Sequence, residues 1–147
     1  MRVMLVPAVL LAGCDLLEEK LVVPEPLSDC KTDDGDSFEY GSFSDTAAAG
    51  VSVDGDTLSV DVSYGGGCEE HEWVLCWPDQ AFLEEVPVQA SLEIWHGVDS
   101  DTRCDAYLSE TLAFDLTPLK EQYQDGYQTE TGTISISVGG ESVDYTF

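Results

Sequence analysis

An all-β fold, a disulfide-stapled antiparallel β-sandwich of immunoglobulin-like size with one short helix near residues 118–124, is what this sequence predicts. Three observations predict it. Apolar and polar residues alternate along most of the chain after Phe38. Turn residues such as Asp54-Gly55-Asp56 and Gly139-Gly140 punctuate that alternation. Four Cys follow residue 14, an even set that can pair off.

The chain opens with Met1-Arg2 and an apolar run from Val3 to Leu11, which leads into Leu11-Ala12-Gly13-Cys14. That box resembles the lipobox of bacterial lipoprotein signal peptides. The resemblance implies that residues 1–13 are a signal peptide, that Cys14 becomes the acylated first residue, and that the chain faces the periplasm or cell surface of a bacterial envelope. The apolar run is too short to span a bilayer, which takes ~20 residues. Asp15-Leu16-Leu17-Glu18-Glu19 cannot prolong it. A buried amphipathic helix is the plainer alternative, but Arg2, the apolar run and the small-small-Cys exit stand in the order that export requires.

Residues 14–37 form the next expected unit, a lipidated acidic tether. Eight acids, Pro24 and Pro26 occur there without sustained periodicity, and Leu21-Val22-Val23 could add an edge strand. The β-sandwich domain is expected over 38–147. Phe38, Tyr40 and Phe43 suit a first strand. Val51 and Val53 lead into the Asp54–Asp56 turn, from which Leu58, Val60, Val62 and Tyr64 return as a half-buried strand. Gly65-Gly66-Gly67 breaks it, and His71, Trp73, Leu75 and Trp77 then share one face up to Pro78. Val88, Ala90, Leu92, Ile94 and His96 share a side of the following strand.

After a polar turn, Cys104, Ala106, Leu108, Leu112, Phe114 and Leu116 are in phase, with Glu110 as an interruption expected at a sheet edge or bulge. Thr117-Pro118 predicts an N-cap and first helical position, with an end near Gly126. Ile134, Ile136 and Val138, the Gly139-Gly140 turn, and Val143, Tyr145 and Phe147 read as a closing hairpin.

Setting Cys14 aside for acylation leaves Cys30, Cys68, Cys76 and Cys104, and an exported chain favours two disulfides. Three pairings exist. Cys68–Cys104 is preferred because both sit at strand starts after polar loops, which leaves Cys30–Cys76. Cys68–Cys76 is disfavoured because the two would stand too far apart along one extended segment. The chain carries 30 acids against five bases, net charge -25. Such a surface repels nucleic acid and anionic headgroups and would attract basic proteins, cationic polymers or divalent cations. A soluble exported surface adapted to a particular salt or growth niche takes precedence over a specific cation role. The membrane would be reached through the lipid on Cys14.

One constellation could carry chemistry. Two segments, Gly65-Gly66-Gly67-Cys68-Glu69-Glu70-His71-Glu72-Trp73 and His96 to Asp105, resemble a group of uncharacterised bacterial lipoproteins with a GGC-x-x-H-x-aromatic motif and a later H-x-n-D-x-C motif. An F-D-L-x-P-L-like stretch follows in that group, here Phe114 to Leu119. The resemblance spans roughly residues 58–119 and implies a fold but no activity.

From the residues themselves, Cys68, His71, His96 and Cys104 could bind Zn²⁺ or copper. In an oxidising compartment a Cys68–Cys104 disulfide with two satisfied His takes precedence. A hybrid keeps the disulfide and lets His71, His96 and carboxylates such as Glu70 or Asp99 take the metal. Asp99, Asp101 and Asp105, with Glu110, partly mimic an EF-hand, but Arg103 and Cys104 occupy the wrong positions. That leaves a looser Ca²⁺ loop or a solvated turn.

No nucleophile elbow, phosphate-cradling loop or basic–aromatic stripe occurs. The expectation is therefore a non-enzymatic binding or structural module without a cofactor, with a metal-binding module (Zn, Cu or Ca) as the alternative.

Overall fold

The computed structural model describes residues 25–27, 39–42, 50–65, 71–98 and 106–147. They form nine strands and one helix: β1 Glu25–Pro26, β2 Glu39–Ser42, β3 Gly50–Asp54, β4 Thr57–Gly65, β5 Glu72–Cys76, β6 Val88–Val98, β7 Tyr107–Asp115, α1 Thr117–Tyr127, β8 Thr133–Val138 and β9 Glu141–Thr146. The first sheet runs β1-β7-β4-β3. The second runs β2-β6-β8-β9, with β5 also paired to β6.

Alternation builds both sheets. Leu58, Val60 and Val62 of β4 are buried, while Ser59, Asp61 and Ser63 face the other side. Ala90, Leu92 and Ile94 of β6 and Ile134, Ile136 and Val138 of β8 are buried by the same parity. Together with Leu112 and Phe114 of β7 they form one apolar cluster drawn from both sheets. Each fully buried aliphatic or Phe side chain contributes about 1.5–3 kcal/mol relative to exposure.

The hairpins follow their turn residues. Asp54 pairs with Thr57 across a two-residue turn, and Gly55 at its first position has φ +57°, the sign that a II′ hairpin requires there. Gly139 and Gly140 both have positive φ, which suits a type I′ turn between β8 and β9. Beyond that hairpin, Gly132 and Phe147 exchange two backbone hydrogen bonds of 3.1 Å. Gly132 is required there, since a Cβ would lie 2.3 Å from the Tyr123 ring.

Three expectations are corrected. The sheets are mixed rather than antiparallel, because β6 pairs with β8 in parallel and β1 with β7 in parallel. A parallel pair needs a crossover. Here the chain leaves β6, forms β7 in the other sheet and then α1, and only then returns as β8. The stretch expected to be tether supplies β1, where Glu25 aligns with Phe114 and Leu27 packs on the core. An outer strand tolerates Pro26, which has no N–H to donate.

The helix differs at both ends. It starts with Leu116 as N-cap, whose side chain caps nothing, and Asp115 Oδ1 instead accepts from Thr117 N (2.9 Å) and Oγ1 (2.6 Å). It runs through Gly126 and ends at Gln128, which adopts φ 54°. Tyr123 and Tyr127 in its last turns pack on Phe82, and Tyr127 Oη donates to Glu84 at 2.6 Å. Those contacts outweigh the roughly 1 kcal/mol that a helical Gly costs. Glu110 stands at a sheet edge, one of the two places expected for it. The β4–β7 register runs unbroken from Thr57↔Asp115 to Gly65↔Tyr107, and among the described residues β7 pairs on its other side only at Phe114 and Asp115.

Candidate functional site

The side chains with chemistry gather where the far end of β4 meets β5. Trp73 of β5 is directly opposite His96 of β6. Their rings lie parallel, 4.0 Å apart and inclined by 7°. His71 precedes β5 by one residue and shares the Trp73 face by strand parity. Its Nδ1 lies 2.6 Å from His96 Nε2. The two imidazole planes differ by 16° and their centroids by 4.9 Å, which matches that N···N distance plus one ring radius at either end. The rings therefore meet edge to edge in nearly one plane, one nitrogen donating its proton to the lone pair of the other.

The first sheet closes over this pair. Tyr64 of β4 sits 4.6 Å from the His71 ring and 5.3 Å from His96. Glu110 of β7 follows the same parity as Leu112 and Phe114, so its carboxylate is turned to the side of the second sheet. Its Oε1 accepts from Tyr64 Oη at 2.7 Å and from Trp73 Nε1 at 2.9 Å. One carboxylate oxygen thus links the two sheets.

The environment sets the protonation states. Burial pushes His96 down to about 4, with the neighbouring His71 adding to the fall and Glu110 opposing it. His96 is accordingly neutral near pH 7. Burial and the bond to Glu110 push the Tyr64 hydroxyl up to about 12, so it remains a donor.

No family model and no curated protein matches the chain. Among solved structures, a protein of unknown function of the DUF1344 type from Bacteroides vulgatus is similar over 86% of this chain, at 12% identity and a TM-score of 0.47. The chain spans 56% of that protein's length. A candidate lipoprotein from Bacteroides fragilis is similar over 84% of this chain and 68% of its own, at 12% identity and a TM-score of 0.44.

Of the residues expected in a metal or disulfide cluster, the structure brings His71 and His96 together. Cys14, Cys30, Cys68, Cys104, Asp99, Asp101 and Asp105 lie outside the described residues. Among the described residues no group of three or more His, Cys, Asp or Glu converges as a metal site. Cys76 is fully buried. Trp77 Nε1 is buried without an acceptor among the described residues.

Two residues of the junction were not singled out from the sequence, Tyr64 as a donor and Glu110 as an acceptor. The signal for Glu110 was present, since a charge in phase with Leu108, Leu112 and Phe114 sits on the inward face.

A second polar junction lies at the near end of β4. Asp56, in the β3–β4 turn, pairs through Oδ2 with Lys120 of α1 and accepts through Oδ1 from Tyr145 Oη of β9 at 2.6 Å. Its carbonyl also accepts from Leu116 N at 2.8 Å. Hydrogen bonds from Lys120 and then Tyr145 hold the Asp56 carboxyl below the usual range. Burial, and next the bond to Asp56, push the Tyr145 hydroxyl well above its ordinary value.

Proposed function

We propose that this chain is a lipoprotein of the bacterial cell envelope, held on a membrane by acyl chains on Cys14. Its domain, two β-sheets packed face to face as a sandwich, serves as a non-enzymatic binding or structural module. The observation that carries the reading is the Leu11-Ala12-Gly13-Cys14 box behind Arg2 and an apolar run. Support for the sandwich comes from the single apolar cluster to which both sheets contribute. Support for a non-enzymatic role comes from the engagement of Tyr64, Glu110, His71 and His96 with one another. No helix among the described residues is long and apolar enough to cross a bilayer.

Two disulfides, Cys30–Cys76 and Cys68–Cys104, belong to the same reading, supported by the even set of Cys after residue 14 and by an exported location. Fractionation of a bacterial host grown with an alkyne-labelled palmitate analogue tests the anchor. The expected result is a labelled chain in the membrane fraction and an unlabelled one after Cys14→Ser. An unlabelled wild-type chain would refute it.

A further inference from the structure

We propose that His71 Nδ1 and His96 Nε2 form a two-nitrogen site for one monovalent copper ion, Cu⁺, capped on one face by the Trp73 indole. The inference stands on the geometry of the junction and does not depend on the lipid anchor.

The two nitrogens already point at each other within one plane, 2.6 Å apart. An ion inserted on the line between them would meet two lone pairs head-on, the collinear arrangement that suits a two-coordinate d¹⁰ cation. Two metal–imidazole bonds of ~2 Å each would need the nitrogens to stand roughly 4 Å apart. The required movement has a place to occur. His96 is held within the β6 ladder, whereas His71 lies one residue outside β5 and is half-buried. Proton accounting is simple: the imidazole that now donates moves its proton to its outer nitrogen through water, so both inner lone pairs face the ion. Copper keeps its oxidation state, and no electron is transferred.

Trp73 adds a second, independent feature. Its ring is parallel to His96 at 4.0 Å and therefore to the plane in which the ion would lie. A cation within about 6 Å of an indole face is attracted by the ring quadrupole. The indole is fixed in place by its bond to Glu110. The net charge of -25 raises the local concentration of any cation.

The test uses the full chain, with free thiols alkylated beforehand, under anaerobic conditions and against a chromogenic Cu⁺ chelator. The account expects one equivalent of Cu⁺ to be withdrawn from the chelator, with quenching of Trp fluorescence at the same stoichiometry. X-ray absorption should report two nitrogen neighbours in a linear array. His71→Ala and His96→Ala should each weaken binding by at least roughly 100-fold, since loss of an outer-shell partner alone costs 10–100-fold. Trp73→Phe, which keeps both nitrogens, should retain the stoichiometry and lose most of the quenching. Circular dichroism of each variant checks that the fold persists. Failure to withdraw Cu⁺, withdrawal that survives both His variants, or tighter binding of Zn²⁺ than of Cu⁺ would each overturn the proposal.

Discussion

At one end of β4, Asp56 joins a hairpin turn to Lys120 on α1 and Tyr145 on β9, while at the other end Tyr64 meets Glu110, Trp73 and two imidazoles. The eight residue steps from Asp56 to Tyr64 span about 25 Å of strand. Both junctions tie the two sheets together, but by different chemistry. The Asp56 junction rests on an ion pair and a Tyr whose ring is wholly buried, with Lys120 the only Lys or Arg among the described residues. The Tyr64 junction is half-buried, and its two imidazoles touch each other. The first closes the fold. The second keeps reactive nitrogens near water.

That contrast orders the expected effects of substitution. Tyr145→Ala should cost the most, about 3–5 kcal/mol in urea unfolding, because it removes a fully buried ring from the core. Asp56→Ala should cost about 1–3 kcal/mol, since the Tyr145 hydroxyl loses its acceptor inside the protein. Glu110→Ala should cost less, roughly 0.5–1.5 kcal/mol, as Glu110 is exposed and water can replace it at Trp73. His71→Ala should change stability least, within roughly 1 kcal/mol, since the residue lies outside the strand ladder. A larger loss from His71→Ala than from Asp56→Ala would invert the comparison.

The pH dependence sharpens it further. The Asp56 carboxyl is depressed in the folded chain, so the unfolded chain binds its proton more readily. Its contribution is present above the ordinary Asp value of about 3.9 and fades as pH falls through the lower folded value. Asp56→Asn should therefore narrow the gap in urea midpoint between neutral and acid pH. An unchanged gap would contradict the assignment.

Much of this architecture was legible because β4, β6, β8 and β9 alternate over enough residues to fix which side is buried. What escaped lies beyond local pattern. Strand order decides that β6 and β8 run parallel, and neither segment carries a mark of it. A two-residue strand such as β1 has no period at all. The end of α1 is set by Phe82 and Glu84, far from it in sequence. Asp56 reads as an ordinary turn residue because its partners are 64 and 89 positions away. The His71–His96 pairing was half visible: parity placed both on apolar faces near strand ends, but their edge-to-edge contact depends on β5–β6 register.

The central claim is an exported domain on a lipid anchor, and the mass of the intact chain extracted from its native membrane tests it most directly. The account predicts a polypeptide that starts at Cys14 and carries the added mass of acyl chains on that residue. A polypeptide that retains Met1 to Gly13 and carries no lipid would contradict it.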